Sequence, residues 1–133
     1  MPDAPLHPGL AGRRVLLVED DYMIADVLCQ ELEGAGAEIL GPVPDVQAAL
    51  ELLAAGGAID AAVLDVNLGG EMVWPVADAL LARGVPFVFA TGYDRAAIPA
   101  RYARVACCEK PVGPDAIARA LARQARREPG AGV

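Results

Sequence analysis

The chain has 133 residues, of which 55% are apolar and 22% charged, and its formal net charge is −7. That size and composition fit one globular domain with a single core and exclude an intrinsically disordered chain. The acidic balance excludes a basic nucleic-acid or anionic-membrane surface, and no apolar run approaches the 18 or so residues of a membrane span.

Residues 1–12 hold three prolines, two glycines and the only histidine, His7, and are expected to be a flexible tail. From Arg13 the chain alternates between strand-like and helix-like segments. Arg14 to Glu19 reads as the first strand. Asp21 is a plausible N-cap, and Met23, Ile24, Val27, Leu28 and Leu32 recur at helical spacing until Gly36. Glu38 to Val43 is the second strand. Asp45 caps a second helix carrying Val46, Ala49, Leu50 and Leu53, which stops at Gly56-Gly57. Ala61 to Asp65 is the third strand. After a loop at Leu68-Gly69-Gly70, Pro75 suits the first turn of a helix that runs to Arg83. Trp74 just before it reads as a partly buried loop residue. Pro86 to Ala90 is the fourth strand, and Ala96 to Tyr102 is a weak helix interrupted by Pro99. Val105 to Glu109 is the fifth strand. Pro114 opens a last helix with Ile117, Leu121 and Ala125 on one face. The predicted domain is 13–126, and 127–133 is a second tail.

Strict alternation of this kind implies an α/β fold, a parallel sheet with helices on both faces. The strands are near-continuous apolar runs, as expected when both faces are covered. Cys29, Cys107 and Cys108 have no metal or redox spacing and read as small buried residues. The N-terminus lacks the order of a signal peptide, so a reducing cytoplasmic location is expected.

Open parallel sheets bind and react at the carboxyl ends of their strands. Here those ends carry Glu19-Asp20, Asp65, Thr91 and Lys110, the last being the only lysine. If the first and third strands are neighbours, three carboxylates share one cleft. Like charges raise one another's pKa, and a hard divalent cation such as Mg²⁺ relieves the conflict through oxygen ligands. A carboxylate is a competent nucleophile toward phosphorus. Asp65 is poorly placed to cap a helix, because Asn67-Leu68-Gly69-Gly70 separates it from the next one. Phosphoryl transfer also needs a positive charge and a donor near the moving oxygens, which Lys110 and Thr91 would supply, while Gly92 leaves room for backbone approach.

The set Val15-Leu16-Leu17-Val18-Glu19-Asp20, Val63-Leu64-Asp65, Ala90-Thr91-Gly92 and Lys110-Pro111 resembles the receiver domain of two-component response regulators, in order and in spacing. The resemblance implies a flavodoxin-like doubly wound sheet of order 2-1-3-4-5. It implies Mg²⁺ held by Glu19, Asp20, Asp65 and the backbone carbonyl of Asn67. It also implies phosphorylation of Asp65 by a phosphohistidine on a histidine kinase or histidine phosphotransfer protein, with phosphate contacts from Thr91 and Lys110 and a cis Lys110–Pro111 bond. Phe89-Ala90-Thr91-Gly92-Tyr93 further resembles the signature of the FAT GUY single-domain response regulators of alphaproteobacteria, which act in stress-response phosphorelays.

The chain departs from the family at Cys107, where many receivers carry an aromatic that swings inward. Tyr93 is the expected replacement as reader of the phosphate state. The proline-broken fourth helix is the second departure, on the family's usual signalling face. A stand-alone signalling switch is therefore expected, not an enzyme, with a downstream protein as partner and neither nucleic acid nor membrane; a homodimer is compatible with the sequence. The alternatives are a phosphorylation-independent interaction module and a small aspartyl-phosphate phosphatase. The phosphatase generally needs a second aspartate as general acid, and position 67 is Asn67. A dinucleotide site is disfavoured because Glu-Asp-Asp, and not a glycine-rich turn, follows the first strand.

Overall fold

The computed structural model describes residues 10–92, 97–110 and 113–121. In chain order the elements are β1 (Arg14–Val18), α1 (Tyr22–Gly34), β2 (Glu38–Val43), α2 (Val46–Ala54), β3 (Ala61–Leu64), β4 (Asn67–Leu68), β5 (Glu71–Met72), α3 (Trp74–Ala82), β6 (Phe87–Thr91), a 3-10 turn (Ala100–Tyr102) and β7 (Cys107–Glu109). Residues 114–121 are helical and are called α4. The main sheet is parallel, in the order β2-β1-β3-β6-β7. In the five long strands taken alone this is 2-1-3-4-5, the doubly wound order expected.

Strand side chains alternate between two cores. Leu16, Val18, Ala62, Leu64, Phe87 and Phe89 face α2 and α3, packing with Val46, Leu53, Val76 and Leu80. Val15, Leu17, Val63 and Val88 face α1 and α4, packing with Leu28, Leu32, Ile117 and Leu121. Every residue of β3 and β6 is buried, which explains their unbroken apolar runs. Cys107 packs in the first core and Cys108 in the second, as neighbours on a strand must.

The caps are those the sequence predicts. The Asp21 side chain accepts from the Met23 and Ile24 amides at 2.9 and 3.0 Å, and Asp45 accepts from Ala48 at 2.8 Å. Three elements differ from expectation. The loop after Asp65 is a two-stranded hairpin, β4–β5, whose turn glycines Gly69 and Gly70 both have positive φ (67° and 102°). Its arms are two residues each, too short to show alternation. Where the fourth helix was expected, the chain forms the short 3-10 turn after Pro99, which lacks the amide a longer helix would use. Trp74 opens α3 instead of preceding it.

β2 is an edge strand, so Pro42 costs no ladder bond. The β1–β2 register shifts between Leu16 and Val18, opposite Gly41 and Pro42. Gly41 has φ 101°, and a Cβ there would lie 2.8 Å from the Val43 nitrogen and 3.0 Å from the Leu17 carbonyl. Val43 then accepts from the Glu19 amide at 3.0 Å, which fixes the end of β1. Gly41→Ala should therefore destabilise the protein by about 2 kcal/mol in urea unfolding. A loss well under about 0.5 kcal/mol would show that this backbone relaxes freely.

Candidate functional site

Backbone ladders carry four chemically active side chains to one rim of the sheet. The Asp65 amide donates to Val18 at 2.9 Å, prolonging the β1–β3 pairing by one residue beyond β3. The Lys110 amide donates to the carbonyl of Thr91 at 3.0 Å, doing the same for β6–β7. Glu19, Asp65, Thr91 and Lys110 thus stand where four strands end side by side.

Carboxylate oxygens of Glu19, Asp20 and Asp65 all lie within 4.8 Å of one another. Glu19 and Asp65 are buried, whereas Asp20 is exposed. Lys110 Nζ lies 2.7 Å from Glu19 Oε1 and 3.3 Å from Asp65 Oδ2, with its side chain 18% exposed. The second Glu19 oxygen accepts from the Asp21 amide at 3.1 Å. Glu19 therefore spends one oxygen on the lysine and the other on the chain turning into α1.

The electrostatics are unbalanced. Burial, and then the charge of Glu19, push Asp65 up to about 7, against the opposing pull of Lys110. Burial would lower Lys110, but its hydrogen bond to Glu19 and the charges of Asp65 and Glu19 outweigh it and hold the ammonium above its ordinary value. Three carboxylates outnumber one ammonium, and the donor set is all oxygen. That set fits a hard divalent cation, which would favour the ionised form of Asp65.

The cluster opens into a pocket of about 470 Å³ lined by Asp20, Asp65, Asn67, Gly69, Gly70, Thr91, Gly92 and Lys110. One wall is the β4–β5 hairpin. Asn67 Oδ1 accepts from the Gly70 amide at 2.6 Å and pins the turn. A Cβ on Gly69 would sit 3.5 Å from Asp20 Oδ2, so the turn backbone lies directly against that carboxylate. Thr91 is fully buried yet borders the pocket.

All six residues singled out in the sequence thus converge: Glu19, Asp20 and Asp65 as one acidic cluster, Lys110 bonded to two of its members, and Thr91 and Asn67 in the pocket lining. Gly69 and Gly70 were expected only as a loop; their paired positive φ is what makes them a pocket wall. Tyr93 and the Lys110–Pro111 bond lie outside the described residues, as do Ala125, His7 and both predicted tails beyond residues 10–12.

No family model matches the sequence, and no curated protein matches it. Solved structures do. SdrG from Sphingomonas melonis Fr1 is 43% identical, covering 88% of this chain and 98% of its own, with a TM-score of 0.75. The BeF3-activated conformation of SdrG from Pseudomonas melonis Fr1 is also 43% identical, over 84% of this chain and 95% of that one, at TM-score 0.70. A CheY-like response regulator receiver domain from Methylobacillus flagellatus, 22% identical over 84% of this chain and 98% of its own, shares the fold at TM-score 0.71. So does a response regulator protein from Burkholderia pseudomallei with a phosphorylated aspartic acid, a calcium ion and citrate, 21% identical over 88% of this chain and 75% of that one, at TM-score 0.72. With a doubly wound sheet, an acidic cluster at its carboxyl rim and a relative at 43% identity over nearly all of its length, this chain belongs to the response regulator receiver family.

Proposed function

We propose that the chain is a phosphoacceptor switch of a two-component system or phosphorelay. The observation that carries this is the bonding of Lys110 to both Glu19 and Asp65 at the mouth of an open pocket. In the proposed reaction an Asp65 carboxylate oxygen attacks the phosphorus of a phosphohistidine. A P–O bond forms, the P–N bond breaks, and the imidazole of the donor leaves. Lys110 is within reach of an oxygen on the transferred group, and Thr91 offers a hydroxyl at the same rim. Mg²⁺ is the proposed cation; Glu19, Asp20, Asp65 and the Asn67 backbone carbonyl would hold it, and it would neutralise charge on the incoming phosphoryl group.

Two relatives support this reading. SdrG has a BeF3-activated conformation, and beryllofluoride mimics a phosphoryl group. The Burkholderia regulator holds a phosphorylated aspartic acid together with a divalent ion. A histidine kinase or histidine phosphotransfer protein is the proposed donor, and a protein partner the proposed output, in the cytoplasm. Among the described residues no helix is long and apolar enough to cross a membrane. A phosphatase reading is weaker, because Asn67 cannot donate a proton as an acid and its Oδ1 already serves the hairpin turn. The direct test is intact mass after incubation with acetyl phosphate and Mg²⁺, where one phosphoryl group adds about 80 Da.

The cation has its own test. At a fixed concentration about ten times a millimolar dissociation constant, Mg²⁺ should stabilise the fold by about 1.4 kcal/mol, or roughly 5 °C in Tm. Asp65 in the metal-free protein holds its proton up to about pH 7 and must release it to bind a cation. The shift should therefore grow between pH 5 and 8. No rise in Tm at pH 8 would remove the metal from the site.

A further inference from the structure

The strand that ends in Thr91 carries Phe89 two residues earlier, on the same face. The Phe89 ring meets Trp74 and Tyr102 edge-on, at 5.8 and 5.5 Å between centroids. Trp74 and Tyr102 stack on each other at 5.3 Å. Tyr102 belongs to a three-residue 3-10 turn, yet it is fully buried. Its hydroxyl donates to Asp78 Oδ1 on α3 at 2.5 Å and lies 3.2 Å from the Trp74 carbonyl. Arg101, the residue before it, grips the same carboxylate with Nε and Nη2 at 3.1 and 3.2 Å, and its guanidinium lies 4.6 Å from the Tyr102 ring centroid.

The 3-10 turn is therefore fastened to α3 by one carboxylate with donors from two side chains. The fastening is of middling strength because its two parts differ. The Arg101–Asp78 pair is about half exposed, a setting in which ion pairs add little. The buried tyrosine hydroxyl, by contrast, is costly to leave without an acceptor. Such an element can select one arrangement and still be released.

Cys107 pairs in register with Phe89 and packs in the same core. The aromatic that fills the space beside Phe89 thus comes from the turn, at Tyr102, and not from β7. It cannot rotate away without breaking from Asp78. Phe89 thus stands between the Tyr102 ring and the end of β6, where Thr91 lies in the pocket lining and its carbonyl holds the Lys110 amide.

We propose that Asp78, Tyr102 and Arg101 form a latch that holds the 3-10 turn on α3 in the unphosphorylated receiver, and that phosphoryl capture at Asp65 works against it through Phe89. The latch rests on the phosphoacceptor reading. Coupling of this kind is reciprocal, so weakening the latch must strengthen phosphoryl capture.

Beryllofluoride with Mg²⁺ is the probe, its affinity read by calorimetry. Trp74, the only tryptophan, reports the stack through its fluorescence. Tyr102→Phe keeps the ring and removes the hydroxyl. Arg101→Gln changes only the exposed partner and leaves the buried stack intact. Both should bind beryllofluoride at least about fivefold more tightly than wild type. Their free forms should already show part of the Trp74 emission change that beryllofluoride produces in wild type. Wild-type or weaker affinity in both variants makes the cluster a packing feature and overturns the latch. Absence of binding in wild type itself overturns the phosphoacceptor reading, and the latch with it.

Discussion

Asp65→Asn should abolish the mass gain of about 80 Da that wild type shows with acetyl phosphate and Mg²⁺, and with it any hydroxylamine-labile label from a kinase. The amide is close in shape to the carboxylate but is no nucleophile toward phosphorus. Loss of fold cannot account for this result, because the variant should be at least as stable as wild type in the absence of metal. Asp65 in the folded protein is raised from an ordinary 3.8 to about 7 by burial and by Glu19. Between those values the unfolded chain ionises this group and the folded chain resists doing so. Its contribution to stability therefore falls as pH rises from about 4 and is fully unfavourable above about 7. The amide of the variant carries no charge at any pH, so its advantage in Tm should appear above about pH 4 and level off near pH 8. Persistent labelling of the variant would move the acceptor to another residue.

The fold was legible because its signals are local. Apolar runs mark the strands, Asp21 and Asp45 cap α1 and α2, and Gly36 ends a helix with φ 104°. The rim of the sheet was legible for the same reason, since the active residues directly follow strand-like runs. The sheet order needed the family resemblance, because periodicity says nothing about which strands are neighbours. Other features were hidden. The β4–β5 hairpin has arms too short to alternate, and its Gly-Gly turn reads as any loop. The register shift at Gly41-Pro42 depends on how β2 meets β1, a contact across about 25 residues that no local pattern encodes. Tyr102 was the largest omission. It ends the proline-broken segment read as a weak helix, yet its ring closes a core between α3 and β6. Only three dimensions bring Asp78 to its hydroxyl.

Lys110→Met should be the most destabilising single change at the site, costing about 3 kcal/mol at pH 8 without metal, or roughly 10 °C in Tm. Methionine keeps the length and the apolar stem, so packing is conserved while the charge is lost. What remains is Glu19, with its side chain 1% exposed, facing Asp65 at 9%, and neither has another cation beside it among the described residues. Removing one partner of a buried pair leaves the other charge uncompensated, which costs more than the pair itself contributes. Two controls separate this cause from a packing defect. Without the downward pull of Lys110 the Asp65 carboxyl is held higher still, so lowering the pH returns its proton and relieves the repulsion, and the deficit should shrink toward pH 5. Adding Mg²⁺ at pH 8 should restore part of the loss, because a divalent cation replaces the missing positive charge among the same three carboxylates. A deficit that ignores both pH and Mg²⁺ would mean that the ammonium serves only as a filler of space. Lys110→Arg tests the converse. Charge is kept, but the planar fork cannot reproduce a point contact 2.7 Å from Glu19 and 3.3 Å from Asp65 within the same pocket, so stability should largely survive while phosphoryl capture falls.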